Sequence, residues 1–100
     1  MNLTIVNKIS DYLSNQPVEK AWIFGSYARS EETPKSDIDL LVRWTPNEKI
    51  TLLKYIHLMN ELQKLTQIKV DLVEEGLLKN FATESVNAEK VLIYERTIKR

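Results

Sequence analysis

Short apolar runs alternate along this chain with longer segments in which apolar residues recur at helical spacing. The runs favour strands, because they are rich in β-branched and aromatic residues and stop at turn-forming residues. The segments between them favour helices with one apolar stripe. Helices and strands alternating in this order predict an α/β domain whose sheet is covered by helices. We predict helices over 3–15, 26–32, 51–66 and 77–87 and strands over 20–24, 37–44 and 68–74, while 91–94 is either a last strand or a helix end.

The length and the scarce residue types limit what the chain can be. One hundred residues, 43% of them hydrophobic, match the usual size of one domain, so we predict a single domain over 1–100. The chain has no cysteine and one histidine. Thiol catalysis, a disulfide scaffold, and metal sites built from cysteine or from several histidines are therefore excluded.

The charge balance limits the choice of partner. Lysine and arginine total 14, as do aspartate and glutamate, so the formal net charge is zero. Proteins that bind long nucleic acids need an excess of basic residues facing phosphates, so we expect no such partner. No apolar run approaches the roughly 20 residues of a membrane helix, and the first residues open no signal peptide. A cytoplasmic protein is expected, with the basic residues Arg96, Lys99 and Arg100 in a solvated tail.

A glycine–serine pair follows the first predicted strand. Gly25 permits a tight turn where the strand stops, and Ser26 opens the next helix. Free backbone N–H groups and the positive end of the helix dipole favour a phosphate at such a turn. The simpler interpretation is that the glycine turns the chain and the serine caps the helix, so the pair alone does not establish a phosphate site.

Three aspartates occupy predicted strands, where aspartate is uncommon. Asp37 and Asp39 share one face of their strand because side chains alternate. Asp71 interrupts an apolar strand and joins them if the two strands are neighbours. Clustered carboxylates repel each other unless a cation such as Mg²⁺ is bound, and three of them suffice for a two-metal site. An exposed strand face with solvated acids is the alternative.

Taken together, these residues resemble a known family. Three parts of the sequence resemble the nucleotidyltransferase superfamily typified by DNA polymerase β. They are Gly25-Ser26-Tyr27-Ala28-Arg29, the segment from Ser36 through Asp39 to Val42, and Asp71. The likeness is strongest to the small bacterial minimal nucleotidyltransferases, many of which are antitoxins paired with HEPN-domain toxins. The length and order of elements match over nearly the whole chain, while the specific motif covers 25–42. The resemblance implies a polymerase β-like fold with a small mixed sheet covered by helices.

The resemblance also implies a reaction and a role for each motif residue. Gly25 and Ser26 would hold the triphosphate of ATP. Asp37 and Asp39 would bind two Mg²⁺ ions, and Asp71 would bind the catalytic ion and help activate the attacking hydroxyl. The reaction is in-line attack of a hydroxyl on the α-phosphate, with pyrophosphate leaving.

Five further residues are candidates near this site. Arg29 lies one turn beyond Ser26 and could grip a phosphate, or could instead pair with Glu32 or Asp37. Ser36 could donate to a phosphate, although a serine before a strand usually forms a turn. Lys35 and Arg43 could supply positive charge. Tyr27 could stack on a base, although core packing is the simpler role.

The length of the chain limits the kind of acceptor. The chain has no length for a second domain that would bind RNA or DNA, which favours a protein acceptor. We therefore expect a metal-dependent enzyme that moves AMP from ATP to a hydroxyl, most simply a tyrosine, of a cognate HEPN-type toxin. The alternatives are an antitoxin or nucleotide sensor that works by binding alone, and a small-molecule (antibiotic) adenylyltransferase.

Overall fold

The computed structural model describes residues 1–77 and 80–97, in which four helices and four strands alternate. Asn2 caps the first helix by accepting from Ile5 N, and Thr51 caps the third by accepting from Lys54 N. Gln67, in a left-handed conformation, ends the third helix. The elements are α1 (Leu3–Leu13), β1 (Val18–Phe24), α2 (Gly25–Ala28), β2 (Ile38–Trp44), α3 (Leu52–Thr66), β3 (Val70–Glu74), α4 (Asn80–Glu89) and β4 (Val91–Glu95).

The four strands form one mixed sheet in the order β3-β2-β1-β4. β1 pairs antiparallel with both β2 and β4, whereas β2 and β3 are parallel and are joined through α3. Parallel neighbouring strands require a crossover connection of this kind, because a short hairpin turn reverses the chain direction and so joins only antiparallel strands. The predicted small mixed sheet with helices is confirmed, and the undecided segment 91–94 belongs to a strand.

One face of the sheet, called here the packed face, is covered by α1 and α3. Its strand residues alternate with those of the opposite face, as strand geometry requires. Ile9 of α1 and Leu58 of α3 are fully buried against it. The buried strand residues of the packed face are Val18, Ala21, Ile23, Ile38, Leu40, Val42, Val70 and Leu72.

The opposite face, called here the acidic face, has a much smaller apolar cluster. Trp22 and Leu41 are buried there under Val86 of α4. Asp39 and Asp71 share this face, because each lies one residue from a side chain of the packed face. Among the described residues, α4 is the one helix that contributes to this cluster, and Phe24 and Val73 of the strands pack against it.

α1 ends at Leu13 rather than at residue 15, and β1 and β3 begin at Val18 and Val70 rather than at residues 20 and 68. Two other predicted helices differ more from those observed. α2 ends at Ala28 rather than at residue 32, because Ser30 takes a left-handed conformation with φ 57°. α4 ends at Glu89 rather than at residue 87. Its predicted start at Leu77 is wrong, since Leu77 lies outside the helix, and residues 78–79 lie outside the described residues.

The C-terminal basic residues also differ from expectation. The Arg96 guanidinium donates to the backbone carbonyls of Val18 (3.2 Å) and Gln16 (2.5 Å), and so ties the end of β4 to the α1–β1 connection. Arg96 is therefore a structural residue rather than part of a solvated tail, while Lys99 and Arg100 lie outside the described residues. No helix in the described part of the chain is both long and apolar enough to cross a bilayer.

Candidate active site

The turn between β1 and α2 requires glycine at position 25. Gly25 has φ +72°, a conformation that side chains rarely adopt. A Cβ added there would overlap the carboxylate of Asp39, whose Cγ would lie 3.1 Å away. The backbone of the glycine–serine turn and the Asp39 carboxylate therefore lie against each other, which is possible only without a side chain at residue 25.

Asp39 and Asp71 are direct neighbours in the parallel pair of β2 and β3. Both point to the acidic face, since Leu40 and Leu72, the next residues, are buried in the packed face. Asp71 is exposed on an edge strand, whereas Asp39 is partly buried on an inner strand. The structure thus places two of the three predicted acids side by side and next to the predicted phosphate turn.

The pKa of the Asp39 carboxyl reflects this crowding. Burial raises the pKa of the Asp39 carboxyl, and the negative charges of Asp71 and Asp37 raise it further. The Arg29 guanidinium acts in the opposite direction, and Glu89 adds to the rise in pKa. An anion in such a position is stabilised when a cation binds nearby.

Asp37 lies just before β2, not within it as predicted. Its carboxylate is exposed and lies 4.0 Å from the Lys69 ammonium. Within the described part of the chain, no three Asp, Glu or His side chains are gathered closely enough to form a metal site. The structure therefore brings Asp39 and Asp71 together, while Asp37 is adjacent and engaged elsewhere.

Ser36 takes part in the turn that leads into β2. Its hydroxyl accepts from Thr33 N at 2.9 Å and lies 3.4 Å from the Thr33 hydroxyl. Lys35 is held in the same turn, where its backbone N–H donates to the Thr33 hydroxyl. These contacts are typical of turn-forming serine and threonine.

Arg29 follows α2 and faces acids that sequence analysis did not select. Its guanidinium donates to Glu89 at 2.8 Å and lies 3.5 Å from Glu31. The predicted alternative partners, Glu32 and Asp37, were wrong: Glu89 and Glu31 pair with Arg29, and Asp37 faces Lys69 instead. Arg29 still lies beside the glycine–serine turn, since Glu89 contacts both.

Glu89 is the site residue that sequence reasoning missed. Its carboxylate accepts from Gly25 N at 3.0 Å and from Arg29 at 2.8 Å. Two hydrogen bonds lower the pKa of Glu89: the one from Arg29 has the larger effect and the one from Gly25 N the smaller. Glu89 lies 64 residues from Gly25 along the chain, and no local pattern indicates such a contact.

The remaining candidates have structural partners. Arg43 binds Glu75 through two hydrogen bonds of 2.6 and 3.0 Å, and its guanidinium lies 5.4 Å from the Trp22 ring centre. Tyr27 is buried in the core of the packed face, which confirms the packing interpretation for that residue.

A glycine–serine turn beside paired strand acids is the arrangement that the motif predicts, and comparison with known proteins identifies the family. The family model described as "Polymerase beta, Nucleotidyltransferase" matches residues 7–99. The chain belongs to this nucleotidyltransferase family. The predicted family, fold and class of enzyme are therefore confirmed.

Proteins whose sequences are similar to this chain are named protein adenylyltransferases. Protein adenylyltransferase MntA of Thermococcus cleftensis is 38% identical over 76 residues, covering 76% of this chain and 75% of the relative. A Methanocaldococcus jannaschii protein, named as a candidate protein adenylyltransferase, is 46% identical over 78 residues, covering 77% of this chain and 76% of the relative.

Solved structures share the family fold. A structure named as that of a candidate minimal nucleotidyltransferase superposes with a TM-score of 0.75 at 29% identity, covering 89% of each chain. A chain in a toxin–antitoxin crystal structure with AMP-PNP superposes with a TM-score of 0.73 at 19% identity, covering 96% of this chain and 75% of the other. At that identity the second likeness establishes the fold alone.

Proposed function

We propose that this protein transfers AMP from ATP to a side-chain hydroxyl, most simply a tyrosine, of a cognate HEPN-type toxin, and that it thereby acts as an antitoxin. The observation that carries the proposal is the contact of the Gly25 turn with Asp39, which is itself the strand neighbour of Asp71. A phosphate turn and two carboxylates meet there at one end of the parallel strand pair.

The phosphate end of ATP is assigned to the β1–α2 turn. Gly25 N and the Ser26 N–H and hydroxyl provide donors where the helix dipole favours negative charge. Arg29 lies beside the turn and can bind a phosphate through two N–H groups. Ser36 is a further candidate, because its hydroxyl accepts from Thr33 N and can still donate its own proton.

The acids fit Mg²⁺, an ion that prefers carboxylate oxygens and retains positions for phosphate. Asp39 and Asp71 are adjacent, and the pKa of Asp39 is raised by burial and then by its acidic neighbours. Asp37 is held only by an exposed ion pair with Lys69 at 4.0 Å, which is worth about 1 kcal/mol or less. Asp37 can therefore turn toward bound ions, so all three acids would hold the metal, with two ions expected. Bound Mg²⁺ supplies a positive charge that stabilises the attacking and leaving oxygens.

Asp71 is assigned the role of accepting the proton of the acceptor hydroxyl. It is exposed on the edge strand β3, so a folded protein can present a residue to it. In the reaction the acceptor oxygen bonds to the α-phosphorus and the bond to the pyrophosphate oxygen breaks, while Asp71 receives the hydroxyl proton. A tyrosine hydroxyl, with an ordinary pKa of about 10, loses its proton more easily than a serine hydroxyl.

A protein acceptor has further support. The net charge of zero offers no track for a long nucleic acid. Leu52 and Leu53 at the start of α3 are 72% and 81% exposed, and neighbouring exposed apolar side chains of this kind are typical of protein interfaces. The relatives named protein adenylyltransferases and the structure of an AMP-modified Shewanella oneidensis HEPN toxin in complex with an MNT antitoxin support the same acceptor class.

The test is to incubate the protein with ATP, Mg²⁺ and the HEPN-type toxin proposed as its partner. The expected result is a mass increase of one or more AMP units on a tyrosine-containing peptide of that partner, with loss of its toxicity. The matched control is Asp39→Asn, which should leave the partner unmodified. Suppressed toxicity without a mass change would establish the binding-only antitoxin, and adenylylation of a small molecule instead would establish the antibiotic-type enzyme.

A further inference from the structure

The Glu89 carboxylate occupies the donors that the proposed function assigns to a nucleotide. We propose that Glu89 is an internal substitute for a nucleotide phosphate: it holds Gly25 N and Arg29 in the nucleotide-free protein, and a nucleoside triphosphate must displace it to bind. The inference rests on the proposed function, because it concerns the same turn.

The two ligands compete because they use the same chemistry. Carboxylate and phosphate oxygens both accept from backbone N–H groups and from guanidinium. Glu89 lies 3.0 Å from Gly25 N and 2.8 Å from an Arg29 nitrogen. Gly25 has a single N–H, which points at Glu89, so a phosphate oxygen can take that donor only after the carboxylate leaves.

The position of Glu89 in the fold allows it to leave. It is the last residue of α4, a helix that contacts the acidic face through Val86. Lys90, the next residue, lies 4.5 Å from the centre of the Trp22 ring. These contacts hold the end of α4 in place without Glu89, so a rotation of the Glu89 side chain is enough to free the turn.

Displacement has a consequence for affinity. When only part of the protein is in the binding-competent state, the apparent dissociation constant rises by the inverse of that fraction. A Glu89 carboxylate that occupies the turn most of the time therefore weakens nucleotide binding. Removing this carboxylate should tighten binding, which is the opposite of the effect expected for a residue that contacts the nucleotide or supports Arg29.

The first experiment measures binding of an ATP analogue with a non-cleavable α–β bridge, in Mg²⁺ and without acceptor, by calorimetry. Glu89→Ala and Glu89→Gln should lower Kd by about tenfold, which is the change expected if the turn is free of Glu89 in about one molecule in ten of the wild type. Glu31→Gln is the matched control, because Glu31 also faces Arg29, at 3.5 Å, but has no hydrogen bond to Gly25. It should change Kd by about twofold or less, and Glu84→Gln, on the exposed side of α4, should leave Kd unchanged.

The second experiment follows Gly25 directly. The chain has only two glycines, so ¹⁵N-glycine labelling gives two amide signals, with Gly76 as the reference in open surroundings. In the free protein, Glu89→Ala should move the Gly25 signal and leave that of Gly76 in place. With saturating analogue, the Gly25 signals of wild type and variant should coincide, because Glu89 no longer contacts Gly25.

Each contrary result points to a different error. If Glu89→Ala weakens binding, or if the saturated Gly25 signals stay as far apart as the free ones, Glu89 remains in place and only orients Arg29, so the displacement proposal is wrong. If neither wild type nor variant binds the analogue while circular dichroism shows both folded, the proposed function fails, and the displacement proposal fails with it.

Discussion

The two faces of the sheet differ in what covers them. The packed face lies under α1 and α3, and its strand residues are 0–2% exposed. The acidic face has a cluster of three buried residues, Trp22, Leu41 and Val86, and beside it the carboxylates of Asp39 and Asp71. The same strands supply both faces, so one sequence alternation serves stability on one side and chemistry on the other.

The difference shows where this small domain can tolerate destabilising groups. Partly buried acids with little apolar cover cost stability in the absence of a cation, and the packed face offsets that cost by apolar burial. Much of the rest of the acidic face is held by charge, as in the Arg43–Glu75 pair and the two cations beside Trp22. Changes on the two faces should therefore affect different measurements.

The largest effect is expected from the acids. Asp39→Asn, Asp71→Asn and the double change Asp37→Asn with Asp39→Asn should each lower AMP transfer by at least about 100-fold, because removing metal-assisted charge stabilisation costs several kcal/mol of the transition state. Thermal unfolding without metal should occur at the same or a higher temperature, because carboxylate repulsion is relieved. Transfer within a few-fold of wild type in these variants would contradict the assignment.

Gly25 links the acidic face to the turn that we propose binds the nucleotide, and Gly76 provides its control. Gly25→Ala should abolish nucleotide binding and destabilise the protein by about 2–3 kcal/mol, because the new Cβ combines backbone strain with overlap of Asp39. Gly76 has φ +94°, but a Cβ added there would meet nothing within 4 Å. Gly76→Ala should therefore cost about 1 kcal/mol of stability and leave binding intact. Calorimetric binding and denaturant unfolding separate the two effects, and equal losses of binding would contradict the steric argument.

Truncating a valine on each face compares their packing. Val42 on the packed face is 1% exposed and Val86 on the acidic face is 6% exposed. Val42→Ala should lower the free energy of unfolding by about 2 kcal/mol, and Val86→Ala by about half of that, because a lightly covered site relaxes more completely around the missing methyl groups. Urea denaturation measures both, and a larger loss at Val86 would show that α4 contributes more to stability than its contacts indicate.

The smallest effect concerns the charged contacts of the acidic face. The hydrogen bond from Arg43 lowers the pKa of Glu75 below its ordinary value of 4.5. A lowered carboxyl pKa means that the pair stabilises the folded protein above pH 4.5 and loses this contribution as the pH falls through the folded-state pKa. Glu75→Gln should therefore lower stability at pH 7 by about 0.5 kcal/mol, with the difference vanishing in acid and in high salt. A pH-independent difference would mean that Glu75 acts through packing instead.

Several site residues were predictable because their signals are local. The strand-to-helix change at Gly25 and Ser26 is visible in the sequence, as is the alternation that places Asp39 and Asp71 opposite apolar neighbours. The β-branched residues around Asp39 predicted a strand, since they suit a half-buried pleated surface. Helix ends were less predictable: α2 stops at Ala28 because Ser30 adopts a left-handed conformation, which no residue pattern indicates.

The sequence by itself determined the α/β class, the position of the glycine–serine turn and the face on which each strand acid lies, because these follow from patterns of a few residues. Only the tertiary structure decided that β2 and β3 are adjacent and parallel, which brings Asp39 beside Asp71. It also placed Glu89 on Gly25 and Arg29, and Arg96 on the carbonyls of 16 and 18. Contacts between residues 60 or more positions apart depend on how helices and strands pack, and local propensities carry no information about that packing.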